Sequence, residues 1–409
     1  MLLEILLSLS AAVLALPSTH LDAHQLERRV NNGLGKTPAL GWNSWNIGGC
    51  AYASEKAALD TGKLFVSLGL KDLGYQYVNI DDCWSTKNRD SSGNLVPDPS
   101  KFPRGMKAVT DDLHNMGLKF GLYGCAGTQT CAGYPASQGK ETQDAKKLAD
   151  WGVDYWKHDN CYTPCNNGNP QTCGSPKGNS STYYKTFSNA LLGSGRPILF
   201  SLCNWGRDNV WAWGAGFGNS WRMSTDIQNN WGSVASIAAQ AAPIAQYAGP
   251  GGFNDLDMMQ IGNNGLSENE ERAHMGIWAI AKSPIILGTD LAKIRSSSLN
   301  IIKNKAILAI NQDPLGKAAT YFTPAGKSKP QNGKLYPYWT GPLTDGVVIG
   351  VVAADGAATL SFNFGDVPGL DATKTYNWTE AWTGTTGSGK AVSTNLGSHD
   401  MRVYRLKTA

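Results

Sequence analysis

Apolar and polar positions follow two rhythms along the chain, and the change of rhythm divides it. From residue 39 onward, short β-type runs recur at 39–45 (ALGWNSW), 75–82 (YQYVNIDD), 119–124 (KFGLYG), 154–160 (DYWKHDN), 198–203 (ILFSLC), 220–226 (SWRMSTD), 247–258 and 283–290. Between them apolar residues return at helical spacing, as in Met106, Val109 and Leu113, or Tyr184, Phe187 and Leu191. Alternating strand and helix calls for a parallel sheet. Eight such units, in a length near the usual 250 residues or so, predict a closed (β/α)8 TIM barrel over residues 30–315. An open doubly wound sheet is the rival fold, but no Gly-rich phosphate loop follows the first strand. Residues 316–409 instead keep a period of two, in GVVIGVVA (346–353), ATLSFNF (358–364) and MRVYRL (401–406), broken by Gly, Pro and Asp turns. That pattern predicts a C-terminal antiparallel β-sandwich domain of structural role.

The polar residues fall at one end of the predicted strands. Trp42 and Trp45, Asp81 and Asp82, Tyr123, Lys157 and Asp159, Cys203 and Trp205, Arg222 and Asp226, and Asp255 and Asp257 all sit late in their runs. In a barrel those ends converge on one mouth, where active sites are built. Because side chains repeat every two residues, Lys157 and Asp159 share a face and His158 faces away. A single Asp after a strand is most simply the N-cap of the next helix, and Asp290 is read that way.

Composition narrows the chemistry. Charged residues make up 17%, with 14 Trp, which excludes disorder and favours a filled core with aromatic surface to spare. A net charge of +4 without a basic run gives no footing for nucleic acid. The one His in the runs, His158, faces away, so a hydrolase triad lacks its base. A metal on the aspartates would compete with Lys157 and Arg222, so neither metal nor cofactor is expected. Carboxylates beside aromatic platforms suit a sugar, whose apolar face stacks on Trp and whose hydroxyls take charged partners.

Residues 1–17 form an apolar run ending in small residues, which reads as a secretory signal; the run is too short for a membrane anchor. Residues 1–29 are thus assigned to a signal and short propeptide, with Arg28-Arg29 as a processing point. Eight cysteines fit an oxidising compartment, and zinc spacing is missing. Cys165 and Cys173 lie close enough in a turn-rich loop to pair. Asn179 and Asn377 head glycosylation sequons, and a secreted, extracellular protein is expected.

Taken together, GWNSW, YVNIDDCW, GLYGCAG, YWKHDNC, SLCNWG, SWRMSTDI and GGFNDLDMMQIGN resemble the α-galactosidases of glycoside hydrolase family 27, in order from about residue 36 to 315. The resemblance implies a retaining mechanism with Asp159 as nucleophile and Asp226 as general acid/base. It implies sugar contacts from Trp45, Asp81, Asp82, Tyr123, Lys157, Arg222 and Asp257, and a wall at the C2 position from Cys203 and Trp205. Asn204 departs from the acidic residue or glutamine expected in that wall. Met258 adjoins the site or fills the core. The resemblance also implies the bridges Cys50–Cys83 and Cys131–Cys161, leaving Cys125 and Cys203 as thiols. Lys157 is expected to keep Asp159 ionised, and Asp226 to arrive protonated. The substrate implied is a terminal α-galactoside. The alternatives are an α-N-acetylgalactosaminidase, a β-L-arabinopyranosidase, or a galactose-binding protein without turnover.

Overall fold

All eight predicted barrel strands form, all but β3 shorter than the run that predicted it. They are β1 (Leu40–Asn43), β2 (Tyr77–Asn79), β3 (Lys119–Cys125), β4 (Tyr155–Asp159), β5 (Leu199–Cys203), β6 (Ser220–Arg222), β7 (Phe253–Asp255) and β8 (Ile285–Leu287). This computed structural model describes residues 29–163 and 180–407. The signal segment, the Cys165–Cys173 pairing and Asn179 lie outside the described residues. The sheet runs β7-β6-β5-β4-β3-β2-β1-β8, every neighbouring pair parallel. It closes just past β7, where Met259 bridges to Leu287 and its N–H donates to the Ile286 carbonyl at 2.7 Å. The result is a barrel of the expected (β/α)8 kind.

The period of two sorts each strand. Trp42, Val78, Phe120, Trp156, Phe200 and Trp221 turn outward and join the large core beneath the helices. Ala39, Tyr77, Tyr155, Leu199 and Ile286 turn inward and form a small cluster of their own. Gly41 lies between them; a side chain there would run into Tyr77. The main helices are Glu55–Ser67, Gly105–Asn115, Glu141–Asp150, Ser180–Gly193, Trp231–Ala241 and Glu268–Ile280. Their starts carry ordinary signals, such as Ser54 accepting from Ala57 N–H at 3.1 Å and the Ser267–Glu270 capping box. The β5–β6 connection has only the single turn Val210–Trp213. Asp290 does not cap a helix. It closes a turn on Ala292 N–H at 3.1 Å, and the next helix starts at Ser296 behind Arg295. That correction reflects a loop lengthened between strand and helix.

Arg29, from the dibasic pair, seats its guanidinium on the carbonyls of Tyr247, Gly249 and Gly252 at 2.8–3.0 Å. A cut after Arg29 would remove this anchor.

The trailing strands are β9 (Thr320–Tyr321), β10 (Tyr338–Leu343), β11 (Gly346–Val352), β12 (Ala358–Asn363), β13 (Tyr376–Glu380), β14 (Thr386–Gly389), β15 (Ala391–Leu396) and β16 (Met401–Lys407). They make a six-stranded antiparallel sheet, β14-β13-β16-β11-β10-β9, and a two-stranded partner, β12-β15, around a core that includes Ile349, Phe362 and Leu406. The sheet docks on helix Glu268–Ile280, where Gly276 leaves room for Met401. Asn377 is exposed on β13.

Candidate active site

The barrel's C-terminal mouth holds a cleft of about 360 Å³, within the usual range for a small-molecule site. Trp45, Asp81, Asp82, Tyr123, Lys157, Asp159, Trp205, Arg222, Asp226, Asp257 and Met258 all line it. Cys203 sits just behind, its Sγ 3.6 Å from Arg222 Nη1. Met258 serves both readings, lining the cleft while packing in the inner barrel cluster. Of the residues assigned to one mouth from strand position, Trp42 turns outward into the core and Asp255 lies in the layer beneath, and the others are together. A second groove of about 290 Å³, lined by Val30, Leu191 and Phe217 among others, holds no carboxylate and offers no comparable chemistry.

Each polar side chain is held by a named partner. Asp81 Oδ2 accepts from Asn43 Nδ2 at 2.7 Å and from Lys157 Nζ at 2.8 Å, while its own N–H donates to Ser44 Oγ. Asp82 Oδ2 accepts from Ala132 N–H at 2.9 Å, which ties the Cys131 loop to β2. Asp159 Oδ1 accepts from Asn160 N–H at 2.8 Å, and Oδ2 accepts from the Tyr123 hydroxyl at 2.9 Å. Arg222 lies between Asp226 and Asp257, at 2.9 Å from each. His158 faces outward, stacked on Phe187 at 4.2 Å.

The backbone here adopts costly conformations. Cys83, Tyr162, Trp205 and Asp257 have φ of 74°, 51°, 60° and 80°, a region that side-chain-bearing residues rarely occupy. Such positions cluster at functional sites, where surrounding bonds hold them in place. For Asp257 those bonds are visible: Oδ2 accepts from Ile227 N–H, Oδ1 accepts from Met258 N–H, and the carbonyl accepts from Trp278 Nε1 at 2.8 Å.

The electrostatics differ from the expectation in one respect. Burial pushes Asp159 up to about 6; Lys157 pulls it down and Asp226 adds to the rise. Lys157 does not pair with Asp159 but with Asp81, and its field offsets only part of the desolvation. Asp226 is open to the cleft, its side chain 72% exposed. Desolvation raises its carboxyl, but the Arg222 charge and hydrogen bond outweigh that and hold it below the ordinary value. In the free site the shared proton thus favours Asp159, the reverse of the order that attack by Asp159 requires. The two carboxyls titrate as a pair, so a bound sugar that accepts a hydrogen bond from protonated Asp226 and lies against ionised Asp159 can reverse the order.

Burial keeps the Cys203 thiol and the Tyr123 hydroxyl protonated well past their ordinary ranges, so neither is a nucleophile. Among the described residues, Cys131, Asp159 and Cys161 bring ligand atoms within 4.8 Å of one another, but the two sulfurs are joined as a disulfide. Cys50 and Cys83 are likewise bonded, while Cys125 and Cys203 are buried thiols. Six carboxyl groups, Asp81, Asp82, Asp159, Asp226, Asp255 and Asp257, surround two cations, Lys157 and Arg222. An acid excess of this kind stabilises positive charge developing on a bound sugar.

Strand position alone did not reveal Asn46, Ile227, Gln228, Asn229 and Gln260, which also line the cleft. They come from connections, where no periodicity marks orientation. Asn43 carried a usable signal: it stands two residues before Trp45 and one strand from the aspartate pair.

Comparison with known proteins agrees with this arrangement. The family model described as Alpha galactosidase A matches residues 37–313, and that described as Alpha galactosidase C-terminal beta sandwich domain matches residues 334–406. An α-galactosidase of Cyamopsis tetragonoloba is 42% identical, over 92% of this chain and 88% of its own. The structure of α-galactosidase I from Mortierella vinacea superposes with a TM-score of 0.84 at 39% identity, covering 92% of this chain and 98% of that one. An α-galactosidase from Saccharomyces cerevisiae, solved with raffinose, gives 0.82 at 34% identity, over 92% and 99% of the two chains.

Proposed function

Since the chain belongs to the α-galactosidase A family and is a glycoside hydrolase of the α-galactosidase type, we infer that its cleft works by double displacement, with Asp159 as nucleophile and Asp226 as acid/base. The observation that carries this reading is the pair itself: a buried carboxyl aimed by two hydrogen bonds and an open one on a guanidinium, both lining one cleft.

Galactose enters with its apolar face on Trp45 and its hydroxyls toward Asp81, Asp82, Lys157 and Arg222. Asp159 attacks C1 while Asp226 gives its proton to the departing glycosidic oxygen. The C1–O bond to the leaving group breaks as a bond from C1 to Asp159 forms. Asp226, now ionised, takes a proton from water, which displaces Asp159 and releases galactose in its original α configuration. Tyr123 and Asn160 aim the nucleophile, and Asp257 with Asp226 holds Arg222 in plane.

Terminal α-linked galactose on oligosaccharides or galactomannan is the substrate class this supports. The Saccharomyces relative's complex with raffinose points the same way. Export is supported by the apolar leader and by two disulfides; no described helix is long and apolar enough to cross a membrane.

Proton NMR of the sugar first released from an aryl α-galactoside tests the mechanism. α-Galactose, mutarotating later, is expected. β-Galactose as first product would rule out double displacement.

A further inference from the structure

Below the sugar cleft the barrel encloses a second space, about 20 Å³ in volume, walled by Asn43, Asn79, Lys157, Ser201, Arg222 and Asp255 among others. That is room for about one water molecule. Barrel interiors at this depth are ordinarily filled by branched aliphatic side chains. Here the wall is polar, and part of it is unpartnered. Asn79 Nδ2 and Oδ1 and Arg222 Nε make no hydrogen bond to any protein group. Both residues are almost wholly buried, at 2% and 3% exposure. Gly121 faces the Asn79 amide, and any side chain on it would occupy that amide's position. Buried donors and acceptors in native proteins nearly always have a partner, supplied by water where the protein supplies none.

Arg222 is therefore held on one side only by protein. Its Nη2 reaches Asp226, Asp257 and the Ser224 carbonyl, and Nη1 reaches Cys203, while Nε is buried with no protein partner, on a side chain that lines the chamber. Asp255 stands on the wall of the same space. Its Oδ1 accepts from Asp257 N–H at 2.8 Å, and it forms no direct ion pair among the described residues. We propose that this chamber binds one structural water bridging Arg222 Nε, the Asn79 amide and the Asp255 carboxyl, and that Asp255 is a positioning residue for Arg222 and so for Asp226. The role assigned to Asp226 comes from the mechanism above, and this inference rests on it.

The consequence is electrostatic. Asp255 faces Arg222 from β6, Lys157 and Tyr155 from β4 and Asp257 from its own connection, and burial pushes it up to about 6 while Arg222 draws it down. Ionised above that pH, it takes part of the guanidinium's field, which otherwise falls on Asp226 and Asp257. In the sugar-bound enzyme Asp226 then keeps its proton to higher pH, as a general acid must.

Three measurements test this. A high-resolution crystal structure of the wild-type enzyme should show a water about 3 Å from Arg222 Nε; a dry chamber overturns the proposal. In Asp255→Asn, the alkaline limb of the kcat profile on melibiose, which reports the sugar-bound enzyme, should move down by roughly half a unit to one unit. On an activated aryl galactoside, whose departure needs no acid, the limb should stay. Asn79→Leu, which fills the chamber without touching Asp255, should move the same limb in the same direction, and it serves if Asp255→Asn does not fold. An unmoved limb in the folded variants overturns the proposal even where kcat falls. If the acid role of Asp226 were itself wrong, Asp226→Ala would lose activity equally on both substrates. That failure is separate from an unmoved limb in an enzyme whose Asp226→Ala variant discriminates between them.

Discussion

Replacing Asp159 by asparagine removes a charge that folding has to bury. The carboxyl is 6% exposed, and burial pushes it from an ordinary 3.8 to about 6, with Lys157 opposing the rise and Asp226 adding to it. Between those values the native state holds more protons on this group than the unfolded chain does. Stability therefore falls as pH rises through that window, and the loss persists above it. At 1.36 kcal/mol per pKa unit, the difference comes to about 3 kcal/mol at pH 7 and to nothing near pH 3. Asparagine has the same shape and can keep both contacts. Its Oδ1 accepts from Asn160 N–H, and the Tyr123 hydroxyl turns to accept from the new amide. Asp159→Asn should thus be the more stable protein at pH 7, by about 3 kcal/mol, or roughly 3–6 °C in Tm for a chain of this length. Its turnover should fall on the order of 10⁴-fold or more, as for loss of a nucleophile. Calorimetry of both proteins at pH 3.5, 5 and 7 reads the gap, and an aryl α-galactoside assay reads the turnover. A gap that does not widen with pH, or a variant less stable at pH 7, would refute the argument that desolvation dominates at Asp159.

Asp226→Ala leaves Arg222 paired with Asp257 at 2.9 Å, so the fold should survive. Its loss should be on the order of 10²–10⁴-fold on melibiose, whose leaving group needs a proton, and slight for the glycosylation step of a dinitrophenyl galactoside, with azide restoring the second step. Equal losses on the two substrates would remove the acid role. If Cys203 and Trp205 form the wall proposed at C2, the N-acetylgalactosaminide should be hydrolysed at least 100-fold more slowly than the galactoside, a steric cost of about 3 kcal/mol. Comparable rates would show that the buried Asn204 side yields to admit the acetamide.

The barrel and its mouth were legible because one rule covers both. A period of two identifies a strand, and the same period says which of its residues share a face. From YWKHD alone, Lys157 and Asp159 fall together and His158 falls on the other side, where it packs on Phe187. What the period could not convey is the partner. Lys157 reaches across to Asp81 on β2 rather than along its own strand to Asp159, because spatial neighbours in a barrel are set by register between strands. The charge order of the free carboxyl pair follows from burial at Asp159 and from the guanidinium beside Asp226, neither of which a period shows. Asp255 was placed at the mouth with Asp257, yet it belongs to the layer beneath; two residues along a strand rise about 6–7 Å, a full layer of the interior. Gln228, Asn229 and Gln260 had no signal, since a connection's side chains take direction from contacts that form only after folding.

A barrel whose interior carries this many acids needs its stability from elsewhere, and the alternation supplies it. Inward polar side chains of the strands have outward neighbours under the helices. Trp42 precedes Asn43, Trp156 precedes Lys157, and Trp221 precedes Arg222; all three rings are fully buried. Buried tryptophans also fix the mouth: Trp42 Nε1 donates to the Thr289 carbonyl, Trp84 Nε1 to the Tyr123 carbonyl and Trp278 Nε1 to the Asp257 carbonyl, all within 2.9 Å. Tryptophan is used at these places because one side chain both fills the hydrophobic layer and pins a strand end that carries a sugar-facing group.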